Sequence, residues 1–231
     1  MLEQGILKAR PRPLDEGTDS EKRVYGTRLS GAIASVVAAD LRAHGLTDCL
    51  PNPPRGVERE FAGGIGAKKV DVSWSSEEAG LLLAISIKTI NFADRKTGNY
   101  QKNLTNRRGD MLFEAVTLHR RFPYAVLGGL LFLHCGAEKD QGKERQSTLD
   151  NAHDRFRLFT RRQDPGDREE QLERMWLASY SDDPAVAVLY EAGKPGEPIL
   201  WNTARDELLR MVAERNPDHL VYASGNLTRR R

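Results

Sequence analysis

The sequence predicts an α/β fold, a central mixed β-sheet of about four to five strands flanked by helices. Three observations point to it. Long segments with apolar residues at helical spacing alternate with short, turn-bounded segments of strand character. One short segment, Ala125–Leu133, is apolar almost without interruption, as suits a strand buried on both faces. The chain has 231 residues, 39% hydrophobic and 29% charged, the balance of one soluble domain with a sizeable core.

Residues 1–17 are dense in Pro, Gly and charge, which favours a flexible N-terminal arm and leaves 18–231 as a single domain. The first helix starts at Thr18-Asp-Ser-Glu21, which has capping-box spacing; Val24, Ile33, Val36, Val37 and Leu41 then recur at helical intervals until Gly45. Pro51, Pro53, Pro54 and Gly56 break the chain. Three strands follow, Val57–Ala62, Lys68–Ser75 and Leu81–Ile90, joined by a glycine-rich turn and by the polar turn Ser75–Gly80. A second helix runs from Leu104 to Phe122, with Met111, Ala115 and Leu118 on its apolar face and Pro123 stopping it. Ala125–Leu133 is then the central fourth strand. Beyond it the spacing predicts helices over Thr148–Arg161 and Glu169–Tyr180 and a strand over Ala185–Tyr190. A closing helix starts at a cap on Asn202 or Thr203 and runs through Leu208, Leu209 and Val212.

No run approaches the ~18 consecutive apolar residues of a membrane helix, so no membrane segment is expected. The N-terminus lacks the apolar stretch of a secretory signal, and Cys49 and Cys135 have no metal or disulfide-framework spacing, which suits a reducing cytoplasm. The five histidines show no ligand spacing, and His119 falls on an apolar helix face as a satisfied core residue. Trp74, Trp176 and Trp201 lie in apolar patterns and read as core. There is no nucleophile-elbow, P-loop or dinucleotide motif.

Strand parity brings chemistry together. In Lys68–Ser75, Lys69, Asp71 and Ser73 point to one face; in Leu81–Ile90, Ala84, Ser86 and Lys88 do, and fifteen residues separate Asp71 from Ser86. Paired as a hairpin, the strands present Asp71 beside Ser86 and Lys88. Metal-assisted phosphodiester hydrolysis needs such parts: oxygen ligands for a hard cation, and a positive group beside the attacking water and the phosphate. Asp71 and the main-chain carbonyl of Ile87 supply the oxygens, and Lys88 the charge.

The order helix, three-stranded meander, helix, buried strand, with Asp71 on the second strand and Ile87-Lys88 on the third, resembles the PD-(D/E)xK nuclease superfamily over roughly residues 19–134. The resemblance implies a restriction-endonuclease-like core, with 145–231 as a C-terminal extension. Val70 stands where that family often has proline, and Ser86 stands where its second carboxylate is expected. Some restriction enzymes with Ser-x-Lys take the missing carboxylate from the following helix. Here that helix offers Asp110 and Glu114. At about 100° per residue, Glu114 lies about 100° from the centre of the apolar stripe and Asp110 more than 120°, so Glu114 is the better placed. Glu60 and Glu21 rank below both.

The net charge of +2 does not call for a polyanionic partner, but local clustering does. Arg95, Lys96, Lys102, Arg107 and Arg108 accompany one acid, Asp94, in a segment that also holds Tyr100, and these six residues are the expected nucleic-acid contacts. Arg155, Arg157, Arg161, Arg162 and the terminal Arg229, Arg230 and Arg231 add charge, and each cluster alone also suits a solvated face. The expectation is a Mg²⁺-dependent endonuclease, with Mn²⁺ able to substitute, acting on double-stranded DNA as a restriction or phage-defence enzyme. Asp71, Ser86, Lys88 and Glu114 would form its catalytic set; Asp71, Ile87, Glu114 and Asp110 would be candidate metal ligands. Two-fold symmetric cleavage would need a homodimer. The alternative is a non-catalytic nucleic-acid-binding or scaffold protein on the same fold.

Overall fold

The computed structural model describes residues 1–54 and 56–230, so Arg231 lies outside the described residues. Where a flexible arm is expected, the chain opens with helix α1 (Leu2–Ala9), which buries Leu2, Ile6 and Ala9. These three share one helical stripe, a spacing that the Pro- and Gly-rich composition of residues 10–17 obscures. The stripe packs on α2 (Asp19–Ala43), and Gly5 sets the approach: a Cβ there would lie 2.6 Å from Ile33 Cδ1.

Helix α2 begins as its capping box predicts. Thr18 Oγ1 accepts from the Glu21 amide at 3.3 Å, and Glu21 Oε2 accepts from the Thr18 amide at 2.8 Å. It ends before Gly45, whose φ of +106° lies where side chains are strained and where a Cβ would strike the Leu227 carbonyl.

The expected three-stranded meander is not one sheet. Strands β1 (Arg59–Ala62) and β2 (Ala67–Val70) pair with each other as a separate ribbon. After Asp71 the chain enters a second sheet as β3 (Val72–Ser76), antiparallel to β4 (Gly80–Ile90). A continuous strand over Lys68–Ser75 is therefore broken at Asp71. The main sheet has six strands rather than four to five, in the order β3-β4-β5-β6-β7-β8, with β5 (Val126–His134), β6 (Arg174–Asp182), β7 (Ala185–Glu191) and β8 (Pro198–Ile199). It is mixed: β4–β5 and β5–β6 are parallel, the other pairs antiparallel.

Strand β6 replaces the helix expected over Glu169–Tyr180. Trp176, Ala178 and Tyr180 enter the core on one face, while Met175 and Leu177 enter it on the other. A strand buried on both faces is apolar on both and carries no period-2 signal, so its pattern also suits a helix. The short hairpin β9 (Leu220–Ala223) with β10 (Asn226–Arg229) also has no counterpart in the sequence reading.

Helices cover both sheet faces, so the molecule is an α/β sandwich with two cores. On one face α1, α2 and α5 (Trp201–Arg215) pack over Ile85, Ile87, Leu130 and Phe132. On the other, α3 (Leu104–His119) and α4 (Thr148–Phe156) pack over Ala84, Leu127 and Leu131. Side chains of this size contribute roughly 1.5–3 kcal/mol each on full burial. Helix α3 sits close because Gly129 of β5 has no side chain; a Cβ there would lie 2.5 Å from Met111 Cε and 2.5 Å from Met175 Sδ.

A buried charge cluster ties the second core to α5. Glu173, fully buried, accepts from Leu127 N (2.6 Å) and Arg162 Nη1 (2.9 Å) and is ion-paired with Arg215 Nη1 (2.7 Å), with His119 Nε2 at 3.3 Å. His119 is thus a satisfied core residue, its Nδ1 on the Glu169 carbonyl at 2.8 Å. Among the described residues no helix is long and apolar enough to cross a membrane.

Candidate functional site

The exchange of sheets at Asp71 creates the site. The last β3–β4 pair is Val72↔Ile85, so β4 continues over Ser86–Ile90 with a strand neighbour on the β5 side only. Asp71, at the joint, turns its carboxylate onto that open edge: Oδ2 accepts the Ile87 amide at 2.7 Å. In an extended strand the carbonyl of a residue points the same way as its amide, so the Ile87 carbonyl also faces this edge.

Lys88 stands next in the strand. Its Nζ lies 2.8 Å from Glu114 Oε1 and 3.8 Å from Asp71 Oδ2, so one ammonium bridges an acid at the sheet joint and an acid on α3. All three side chains are mostly covered, at 17% exposure for Lys88, 25% for Asp71 and 15% for Glu114. Burial pushes the Asp71 carboxyl above its ordinary value; Lys88 and the Ile87 amide pull against it, and the negative charges of Glu114 and Glu58 add to the rise. Ser86 is 7% exposed, and its hydroxyl is buried with no hydrogen-bond partner among the described residues. Asp110 does not join the group. Its side chain is half exposed and faces Arg107 at 3.5 Å, away from Lys88, in keeping with its larger angle from the apolar stripe.

Asp71 and the Ile87 carbonyl at the open edge, and the Glu114 carboxylate on the far side of Lys88, are oxygen donors of the kind Mg²⁺ takes, one or two carboxylates with water and phosphate filling the rest. No group of three or more His, Cys, Asp or Glu side chains is placed to hold a metal ion among the described residues. Without Asp110 the chain supplies fewer oxygens than the four-residue set read from the sequence.

The edge opens into a cleft of about 1000 Å³ between the N-terminal half of α2 and the 91–107 segment, with Asp71, Ile87, Lys88 and Thr89 along its floor. Seven basic side chains line it (Lys22, Arg23, Lys88, Arg95, Lys96, Lys102 and Arg107) against three acids (Asp19, Asp71 and Asp94). Four of the six expected nucleic-acid contacts therefore reach it with a charge. Lys102 does so while paired to Asp94 at 2.8 Å. Tyr100 lines it but is 7% exposed, with its hydroxyl 3.1 Å from His134 Nδ1 and its ring stacked on that imidazole, so it is wall and not a stacking platform. Arg108 lies outside the lining, its guanidinium 5.7 Å from the Phe159 ring centroid.

Asp94 folds the first turn of the basic segment. Asp94 accepts the amides of Lys96 (3.0 Å) and Thr97 (3.1 Å) and pairs with Lys102, and this salt bridge with the turn bonds holds its carboxyl down to about 2. The sequence reading missed the opposite wall. Lys22, Arg23, Gly26, Thr27 and Ser30 of α2 face the cleft, and Gly26 brings the helix near the strand end: a Cβ there would lie 3.3 Å from Asn91 Nδ2. The available signal was the stripe of Leu29 and Ile33, which continues toward the N-terminus of α2 as the small and polar residues Gly26 and Lys22.

Comparison with protein-family models, with curated proteins and with solved structures gives no match to this chain.

Proposed function

We propose that the chain is a metal-dependent nuclease with a restriction-endonuclease-like core, which hydrolyses phosphodiester bonds of nucleic acid, with double-stranded DNA as the expected substrate. The observation that carries this reading is the pairing of Lys88 with both Asp71 and Glu114, where Asp71 and Lys88 floor a basic cleft at an open strand edge and Glu114 reaches Lys88 from α3. Mg²⁺ or Mn²⁺, when bound, would polarise the phosphoryl oxygens and acidify a water molecule. Asp71, Glu114 and the Ile87 carbonyl are the residues that would hold it. Lys88 would orient the attacking water and offset charge on the phosphate, a role open to an ammonium already poised between two carboxylates. Ser86 offers an unused hydroxyl beside them. Lys22, Arg23, Arg95, Lys96 and Arg107 would hold flanking phosphates. The consecutive placement of α2, the β3–β4 hairpin, α3 and β5 supports the family resemblance, and the departure of β1–β2 from the main sheet is a variation on it.

The test is cleavage of duplex DNA, single-stranded DNA and RNA by the purified chain with Mg²⁺ or Mn²⁺. Asp71→Asn, Lys88→Met and Glu114→Gln should each lower the rate by about a hundredfold or more. Intact substrates throughout, or variants that cut as fast as the parent, would overturn the proposal.

A second reading has its own observation. Lys88 touches Glu114 directly and so is itself the cation between the acids, as expected of a non-catalytic nucleic-acid-binding protein with a built-in charge in place of metal. Salt-dependent DNA binding without cleavage, and without heat on titration with Mg²⁺, would favour it.

A further inference from the structure

Residues 10–17 link α1 to α2 and are fastened to both walls of the cleft. On the α2 wall, Lys22 Nζ donates to the Asp15 carbonyl at 2.5 Å, and Arg28 donates to the carbonyls of Ala9 and Pro11. On the opposite wall, Arg95 donates to the carbonyls of Gly17 (2.6 Å) and Glu16 (3.3 Å). Arg12 completes the bridge. It donates to the Asn91 carbonyl at 3.0 Å, lies 4.4 Å from the Phe92 ring centroid and pairs with Asp15 at 2.5 Å. The far face of the linker's two ends is secure, through the buried stripe of α1 and the Thr18–Glu21 capping box.

Lys22 and Arg95 also line the cleft. Both are held by neutral carbonyl oxygens, and neither is ion-paired among the described residues. A phosphate oxygen adds its own negative charge to the bond and is the stronger acceptor for such cationic donors. We infer that residues 10–17 form a releasable clamp. An entering polyphosphate draws Lys22 and Arg95 off the clamp's carbonyls and loosens the α2 wall from the 91–102 wall, which Arg12 still ties at the Asn91 carbonyl. The inference rests on the nucleic-acid reading of this cleft and adds its regulation: the closed clamp lowers apparent affinity by the fraction of molecules that are closed.

The experiment is amide hydrogen exchange on the full chain, alone, with inorganic tripolyphosphate, and with a short DNA duplex in EDTA. Exchange at Gly17, whose amide is bonded to the Leu14 carbonyl at 2.9 Å, should rise roughly fivefold or more with either anion while β5 stays protected. The Lys22→Met/Arg95→Met variant should exchange as fast without anion as the loaded parent does. Unchanged or slower exchange with both anions, or a double variant as protected as the parent, overturns the clamp. Failure is separable from that of the nuclease reading. DNA cut with the clamp still protected sinks the clamp alone, whereas release by tripolyphosphate in a chain that leaves all nucleic acid intact keeps the clamp and sinks the nuclease.

Discussion

Replacing Glu173 by glutamine should be among the most damaging single substitutions in this fold. The carboxylate is fully buried, and its two oxygens serve an amide, two guanidinium groups and an imidazole within 3.3 Å. Glutamine keeps the shape but removes the charge, which strands Arg162 and Arg215 in the interior; their side chains are 1% and 6% exposed. It also turns an NH₂ toward groups that themselves donate. Breaking a buried ion network in this way costs about 3–5 kcal/mol. For a chain of this length that corresponds to a fall in Tm of roughly 6–20 °C. Thermal unfolding followed by circular dichroism at neutral pH measures it, with urea midpoints at unchanged slope as a check. The deficit should depend on acid. Burial alone would raise this carboxyl, but His119, Arg215 and the Leu127 amide outweigh it and hold it below its ordinary value. A carboxyl depressed by folding stabilises above its unfolded pKa of about 4.3, and that contribution is lost as pH falls through the lower folded value. Parent and variant should therefore start to converge in stability below about pH 4.3 and finish only once pH has passed the lower folded value. A loss under about 1 kcal/mol at neutral pH, or a deficit that does not shrink in acid, would refute the reasoning.

Lys88→Met leaves Asp71 and Glu114 facing each other without their shared cation and should cost about 1–2 kcal/mol. Added Mg²⁺ should then raise its Tm more than the parent's, because the ammonium no longer occupies the place between the acids; equal shifts would count against a shared cation position. Gly129→Ala forces a methyl against Met111 and Met175, and overpacking of this kind costs about 1–3 kcal/mol by denaturant titration. Arg23→Gln on α2 should weaken duplex binding and flatten its log-log salt dependence by about one unit of slope, with no preference among sequences. If affinity is unchanged, the α2 wall does not meet phosphate.

The parts of the fold that were legible are those with a local signature. Thr18 and Glu21 announce the start of α2 through the side chain–backbone bonds they make with each other. The unbroken run at Val126–His134 identifies a central strand, and the helical angle of Glu114 against that of Asp110 separates the acid that meets Lys88 from the one that faces Arg107. Illegible features depended on distant residues. Nothing near Asp71 says that the strand before it and the strand after it take different partners. The stripe of α1 is only three residues deep, and without α2 to cover it the composition of the linker dominates. Tyr100 reads as an exposed aromatic in a basic loop until His134, from a strand far along the chain, fills the space beside it.

The bond from Asp71 to the Ile87 amide also bears on how the protein behaves at high concentration. Strand β4 is long, apolar and unpaired on one side from Ser86 onward, the kind of edge on which a second chain can add a strand and begin to aggregate. Helix α2 shields part of that edge. Asp71 guards its start, taking the amide hydrogen an intruding strand would require and placing a charge where that strand would lie. Alanine at position 71 would remove the guard along with the acid, so a loss of function in that variant has two causes, the missing acid and self-association; asparagine keeps an acceptor for the amide and separates them.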